Sequence, residues 1–245
     1  MNPRPDVPAG PRGAQHWFVT GLLDLVWGSR CVGCGCPGPA LCERCPLTDG
    51  PVWVHSTAHR RVLAAGAYGG TLRAAIVRHK EDGVRELAAP LGRLLADTIL
   101  AVPGLGRPAA GAPGPGSLLL LVPVPSRAAA LRARGDDPWR RVTARAARSL
   151  CGRGVRAQVA PLLRMRGGVV DQAGLGSAER RENLSGAMGV VHPRFRRLAG
   201  VRARVVLCDD VLTTGATLAE GVRALRSVGV EPHLCLALAQ VESPR

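Results

Sequence analysis

The sequence is almost without lysine. Of its 33 lysines and arginines only Lys80 is a lysine, and with 18 acids the formal charge is +15. In a chain heavy in alanine, glycine and proline, arginine in place of lysine reads as a composition bias as readily as a nucleic-acid footprint. Arginine's planar fork also suits phosphate-rich small molecules, so the charge implies an anionic partner before it implies DNA. The excess is local: residues 127 to 210 carry 18 arginines against 7 acids. Long apolar runs are missing too, and none reaches the roughly 18 residues a membrane-spanning helix needs. The segment 16-HWFVTGLLDLVWG-28 follows Arg4 and Arg12 as a signal peptide would. However, Asp24 interrupts it, no small-residue cleavage site follows, and a cysteine cluster comes next. Its apolar Phe18, Leu22, Leu25 and Val26 fit an amphipathic helix instead. A soluble, cytoplasmic protein without membrane insertion is expected. Two nucleotide signatures are absent as well. A P-loop needs G-x4-G-K-[ST], and the single lysine follows a histidine; no G-x-G-x-x-G lies beside a predicted strand. No internal repeat is visible.

What remains is enough for one medium domain with an appendage, since 245 residues can bury a substantial core. Residues 1–15, rich in proline, glycine and polar residues, are expected to be a disordered tail. Residues 16–60 are assigned to a short helix and a cysteine-rich module, and 61–245 to the main domain. There, 62-VLAAGAYGG-70 reads as a strand and turn. Leu87, Leu91, Leu94, Leu95 and Ile99 recur at helical spacing in 85-RELAAPLGRLLADTIL-100, with Pro90 starting or kinking the helix. The stretch 103-PGLGRPAAGAPGPG-116 is a low-complexity surface loop. Next, 117-SLLLLVPV-124 is a continuous apolar run suited to a strand buried on both faces of a parallel sheet. Asp137 and Pro138 form an N-cap and first-position pair for a helix over 139–150. The stretch 164–187 has no clear period and is long for a connection, as functional loops often are. A strand at 204–208, a helix from about Thr217 to Val228 closed by Gly229, and a strand at 234–241 complete the chain. Apolar strands alternating with helices predict an α/β parallel sheet flanked by helices.

Five of the eight cysteines crowd into 31-CVGCGCPGPALCERC-45. Cys31 and Cys34 form one C-x2-C knuckle, and Cys42 and Cys45 a second. Two such knuckles bring together four thiolates in the arrangement that suits structural zinc. A disulfide pair and an iron–sulfur cluster are the alternatives, and Cys36 is a spare that could replace one ligand. Cys151, Cys208 and Cys235 lie in apolar settings and read as packed residues.

The most informative stretch is 205-VVLCDDVLTTGAT-217. An apolar strand ends on two adjacent aspartates, and a small hydroxyl-rich loop then leads into a helix. At the carboxyl end of a parallel strand, such a loop sits where open α/β sheets hold ligands. Backbone amides and the helix dipole would point at an occupant. Thr213, Thr214 and Thr217 add hydroxyls, and Gly215 permits close approach. That describes a monophosphate cradle. Asp209 and Asp210 cannot favour a phosphate but can accept hydrogen bonds from a vicinal diol. A phosphate and a diol one sugar ring apart describe a ribose 5-phosphate. Capping threonines alone would explain Thr217 but not the adjacent acids.

The residues from Val205 to Thr217 resemble the phosphoribosyl pyrophosphate (PRPP) binding motif of type I phosphoribosyltransferases. More of the chain resembles the ComF family of competence-associated, phosphoribosyltransferase-like proteins. The matching parts are the knuckles with their preceding helix, 66-GAYGGTLRAAIVRHKEDG-83, 121-LVPVPSRAAALRARG-135 and 172-QAGLGSAERRENLSGAM-188, together with the PRPP motif. They cover most of the chain from about residue 18 onward. The resemblance implies a type I phosphoribosyltransferase-like sheet domain behind a zinc module. Asp209 and Asp210 would be the catalytic pair that holds the ribose hydroxyls. Thr213, Thr214, Gly215, Ala216 and Thr217 would form the 5-phosphate loop, and Val211 would also contact the substrate. The turn at Ser126 and Arg127 would meet pyrophosphate, and a hood carrying Gln172, Arg180, Arg181 and Asn183 would close over the site. Magnesium would come bound to PRPP. The resemblance also implies two functions, phosphoribosyl transfer to an unidentified acceptor, or non-catalytic nucleotide or PRPP binding in DNA uptake or recombination. Single-stranded DNA and DNA-uptake proteins are then partners to test, and the oligomeric state is open. The chain departs from the family at 134-RGDDP-138, where R-G-F-N-Q is common, and in lacking a histidine shortly after the V-P-V-P turn.

Overall fold

The computed structural model describes residues 29–56, 59–105, 118–126, 136–166, 186–196 and 203–241. The expected tail at 1–15 and the helix near 16–28 lie outside them. Six strands form the main sheet: β1 (Val52–Ser56), β2 (His59–Ala64), β3 (Leu118–Pro123), β4 (Ala157–Val159), β7 (Ala203–Leu212) and β8 (Leu234–Gln240). Their order is β1-β2-β8-β7-β3-β4. Every pairing is parallel except that of β1 with β2. The strand β1, from the segment assigned to the cysteine module, is thus the edge strand of the main sheet.

The apolar run at 118–123 becomes β3, held between β4 and β7 in the register Leu118↔Ala203 through Pro123↔Cys208. Side chains alternate between two cores, as the two-residue period requires. Leu119, Leu121, Val206, Cys208, Leu236 and Leu238 face one side. Helices α1 (Gly70–Lys80), α2 (Ala88–Leu100) and α3 (Pro138–Gly152) cover it. Leu120, Val122, Val205, Leu207 and Ala237 face the other, under α5 (Ala216–Arg226). A hairpin of β5 (Leu163–Met165) and β6 (Met188–Val190) completes that side, and Phe195 of the short α4 (His192–Arg196) packs against it. The buried Glu220 of α5 fastens this hairpin. It accepts the Met188 amide at 2.9 Å and pairs with Arg223, whose guanidinium donates to Met188 O at 3.0 Å.

Local expectations are met at several points. Pro90 lies in the first turn of α2, after a short 3-10 turn over Arg85–Leu87, and Leu87, Leu91, Leu95 and Ile99 are buried. Asp137 caps α3 by accepting the Arg140 amide at 3.1 Å, with Pro138 at the first position. Two expectations are corrected, and one helix is added. The strand expected at 204–208 runs on to Leu212, because β8 continues alongside and pairs Asp209 with Ala237 and Leu212 with Gln240. The aspartates therefore sit on a paired strand end rather than in the following loop. The strand and turn read over 62–70 are present, and helix α1, which was not among the expected elements, begins at Gly70. Cys151 is exposed, because it falls just off the buried stripe of α3 (Trp139, Val142, Thr143, Ala146, Ala147, Leu150).

The contact of α2 with α3 turns on Gly92. A Cβ there would lie 2.5 Å from Arg145 Cβ and 2.9 Å from both Ala146 N and Val142 O. Backbone atoms cannot rotate away, so Gly92→Val should force the helices apart. Overpacking of this kind costs about 1–3 kcal/mol. Chemical denaturation should register that loss, whereas an unchanged midpoint would mean that the two helices slide without cost.

Candidate functional site

The connections of the sheet create a crevice. From β3 the chain crosses through α3 to β4 on one side, and from β7 it crosses through α5 to β8 on the other. The adjacent strands β3 and β7 thus send their chains in opposite directions, and a ligand crevice opens outside the carboxyl ends at such a switch point. A pocket of about 270 Å³ lies there. Its polar wall includes Lys80, Ser126, Asp209, Asp210 and Thr217, and its apolar wall includes Ile76, Leu91, Trp139, Val142 and Leu238.

The two carboxylates differ in setting. Asp209 is buried and accepts the Asp210 amide at 2.9 Å, while Asp210 is partly open and accepts the Val211 amide at 2.8 Å. Burial, then the neighbouring Asp210 charge, pushes the Asp209 carboxyl up to about 8. The compensating cation is Lys80, the last residue of α1, whose Nζ lies 2.5 Å from Asp210 Oδ2. Partial burial opposes the ammonium charge, but attraction to Asp210 outweighs it, helped by Asp209, and raises the Lys80 pKa.

Neighbouring groups hold this arrangement in place. His79 is buried, with Nδ1 2.9 Å from Val84 O and Nε2 3.1 Å from Pro138 O. A neutral ring can donate to only one of these carbonyls, whereas a charged ring donates to both. Trp139 Nε1 donates to Cys208 O at 3.1 Å, immediately before the aspartates. Ser126 Oγ donates to Asp137 Oδ1 at 3.1 Å, and Asp136 pairs with Arg141 and with Arg85. Both acids of the 134–138 departure are therefore engaged in starting α3. Lys80, His79 and Trp139 were not among the residues expected at the site. The one local clue was that Lys80 is the only lysine.

The loop after β7 carries the remaining expected residues. Gly215 is the residue before α5 and adopts φ +77°, in the left-handed region that favours glycine. No side chain caps the helix in the usual way. The Ala216 amide meets Thr214 Oγ1 at 3.4 Å. First-turn amides have no intrahelical acceptor, so the start of α5 presents donors beside the aspartates. Thr213 is exposed, Thr214 and Thr217 are half-buried, and Ala216 is buried. The structure thus brings Ser126, Asp209, Asp210, Val211 and Thr217 to one pocket. Arg127, Gln172, Arg180, Arg181 and Asn183 lie outside the described residues.

The second site is the cysteine cluster. One sulfur each from Cys31, Cys34, Cys42 and Cys45 lies within 4.8 Å of the others, and Cys34 and Cys42 sulfurs are 3.7 Å apart. Four sulfurs at tetrahedral Zn–S distances of about 2.3 Å would stand about 3.8 Å apart. The amides of Gly33 and Cys42 point at Cys31 Sγ from 3.4 and 3.3 Å. Burial works to raise this thiol, but the amide bonds prevail and lower it to about 6. Burial and the surrounding sulfurs hold the Cys45 thiol well above its usual range. A metal ion would relieve that crowding of sulfurs. Cys36 stays outside the set of four, with its carbonyl accepting the Cys31 amide at 3.0 Å. Buried Cys208 belongs to the core, and Cys235 is half-buried. The module is not free-standing: Ala40 belongs to the core, and Val32, Leu41 and Leu47 pack on it.

The raised Asp209 pKa fixes the sign of a pH effect. An unfolded aspartate titrates near 3.9, so between about pH 4 and 8 the folded chain keeps a proton that the unfolded chain has lost. The associated stability is full below about pH 4 and is lost as the pH rises to about 8. Asp209→Asn, neutral throughout, should gain on the wild type across that window, by at most about 1.4 kcal/mol per pH unit. Denaturation at several pH values would check this. A variant that loses stability at pH 8 would mean that Asp209 is ionised and held there.

Among the described residues, no helix is long and apolar enough to cross a membrane. No protein-family model matches the chain, and no curated protein matches it either.

Proposed function

We propose that the chain is a type I phosphoribosyltransferase-fold protein of the ComF kind that binds PRPP or another ribose 5-phosphate compound in this pocket. One observation carries the proposal. At the switch point between β3 and β7, two adjacent carboxylates stand beside a glycine-led helix start. The carboxylates accept the ribose hydroxyls, and the amides and hydroxyls from Thr213 to Thr217 hold the 5-phosphate. In transfer, the bond from the anomeric carbon to pyrophosphate breaks, pyrophosphate leaves with the electron pair, and an acceptor atom bonds to that carbon. The chain's part is to position the ribose and steady the leaving charge. Among the described residues the only cluster of three or more metal-ligating side chains is the cysteine one. Magnesium would be held mainly by the substrate's own phosphate oxygens, as it typically is at phosphate sites.

A second reading has its own support. At 134–138 the ComF family commonly carries an amide pair, whereas here Asp136 and Asp137 are engaged in ion pairs and a helix cap. A pocket that keeps its ribose half but lacks those amides suits a non-catalytic PRPP or nucleotide sensor acting in DNA uptake or recombination. Pyrophosphate release from PRPP across a panel of bases separates the two readings, being present for an enzyme and absent for a sensor.

Calorimetric titration with magnesium and PRPP tests the shared claim. Asp210→Asn replaces a charged acceptor by one acceptor and an unwanted donor, which should weaken binding by about one to two decades. Gly215→Val should bind more weakly still. Its left-handed backbone also costs a β-branched residue about 1–2 kcal/mol of stability, so a thermal melt must accompany it. Equal binding by all three proteins would refute the assignment.

We propose further that the metal in the cysteine cluster is structural zinc, which four thiolates in two knuckles favour. Purified protein should then hold about one zinc per chain. Cys34→Ser should lose it and melt at a lower temperature, because the module packs on the sheet core. An iron–sulfur absorption band, or intact stability after chelation, would contradict this.

A further inference from the structure

The pocket carries its own counter-ion, and that contact has a consequence for what the pocket accepts. Lys80 Nζ occupies Asp210 Oδ2 at 2.5 Å, one of the oxygens that a ribose hydroxyl would need. The pair bridges residues 130 positions apart and lies on the pocket wall, with 42% of the lysine side chain and 21% of the aspartate side chain exposed. Its anchor is firm at one end only. The backbone end of Lys80 follows His79, which is lodged between Val84 O and Pro138 O. The ammonium end sits on a flexible four-carbon stem and makes one point contact, unlike arginine's bidentate fork.

A diol that displaces the ammonium strands a cation beside the buried Asp209, in a pocket with a largely apolar opposite wall. An anionic group on the ligand, next to the diol, would receive it. We infer that Lys80 is a specificity-determining residue: it closes Asp210 in the free protein and opens it for ligands that bring a second anion near the anomeric carbon. This inference rests on the phosphoribosyl reading of the pocket. It narrows the ligand class to ribose 5-phosphates that also carry charge at carbon 1, such as a 1-pyrophosphate, and disfavours those with an uncharged substituent there. Thr217 and Ser126, which also line the pocket, provide neutral hydroxyls and cannot take over the ammonium's role.

The test compares PRPP with ribose 5-phosphate, which share the diol and the 5-phosphate and differ at carbon 1. In the wild type PRPP should bind more tightly. In Lys80→Gln, PRPP affinity should fall about tenfold to a hundredfold, whereas ribose 5-phosphate should bind equally or more tightly because Asp210 is released. Equal losses for both ligands, or no change for either, would overturn the inference and leave the ribose site standing. A wild type that binds neither ligand would overturn the phosphoribosyl reading and this inference with it. A second measurement needs no variant. Because Lys80 is the only lysine in the chain, lysine labelled with nitrogen-15 at Nζ gives one side-chain ammonium signal. That signal should move strongly with PRPP and differently with ribose 5-phosphate. An ammonium signal that PRPP leaves unmoved while binding would overturn the displacement.

Discussion

Two carboxylates placed side by side at the end of a buried strand form an unfavourable arrangement, and the surroundings of the site are organised to tolerate it. Asp209 lies in a medium that disfavours its charge, and Asp210 adds a like charge next door. One ammonium, that of Lys80, offsets them. Its helix must therefore end at a fixed place, and His79, held between two backbone carbonyls, fixes it. The strand end must be held as well. The indole of Trp139 binds Cys208 O, and the ladder to β8 continues past the aspartates to Leu212. A core satisfied only by apolar packing would not need such an arrangement, and strain of this kind gathers at ligand sites.

The chain's topology explains why the charges gather at this place. Parallel strands point all their carboxyl ends to one edge, and the opposed crossovers of β3 and β7 keep helices from closing the gap between them. Helix α5 then starts directly beyond β7, so its first-turn amides face the same gap as the acids. The cysteine cluster is remote in role but not in packing. It fixes the segment from Cys31 to Cys45, and residues around it, Val32, Ala40, Leu41 and Leu47, extend the core that backs α1. A disturbance of the cluster should therefore be felt in the sheet domain as well as in the module.

Much of this was legible in the sequence wherever the determinant is local. The run 118–123 read as a buried strand, Asp137-Pro138 as a helix start, and the cysteine spacing picked out the four residues whose sulfurs cluster. Of the acids and the glycine and threonine loop, Asp209, Asp210, Val211 and Thr217 line the pocket, whereas Thr213, Thr214, Gly215 and Ala216 are not among its lining residues. What escaped depends on partners distant in the chain. Aspartates disfavour strands, so the end of β7 seemed to fall at Cys208, yet the ladder to β8 overrides that preference. Helix α1 was overlooked because its buried stripe is weak, being made of Leu72, Ala75, Ile76 and a histidine. Nothing near residue 80 announces a contact with residue 210, since sequence periodicity reports on faces and not on partners. Cys151 shows the reverse error: an apolar neighbourhood in sequence did not place it on the buried stripe of α3.

The most direct measurement is a crystal structure of the protein grown with magnesium and PRPP. The 5-phosphate is expected at the amides between Thr213 and Thr217, with the ribose hydroxyls on Asp209 and Asp210 in the pocket between β3 and β7. A ligand bound elsewhere, or bound there with its 5-phosphate turned away from α5, would contradict this.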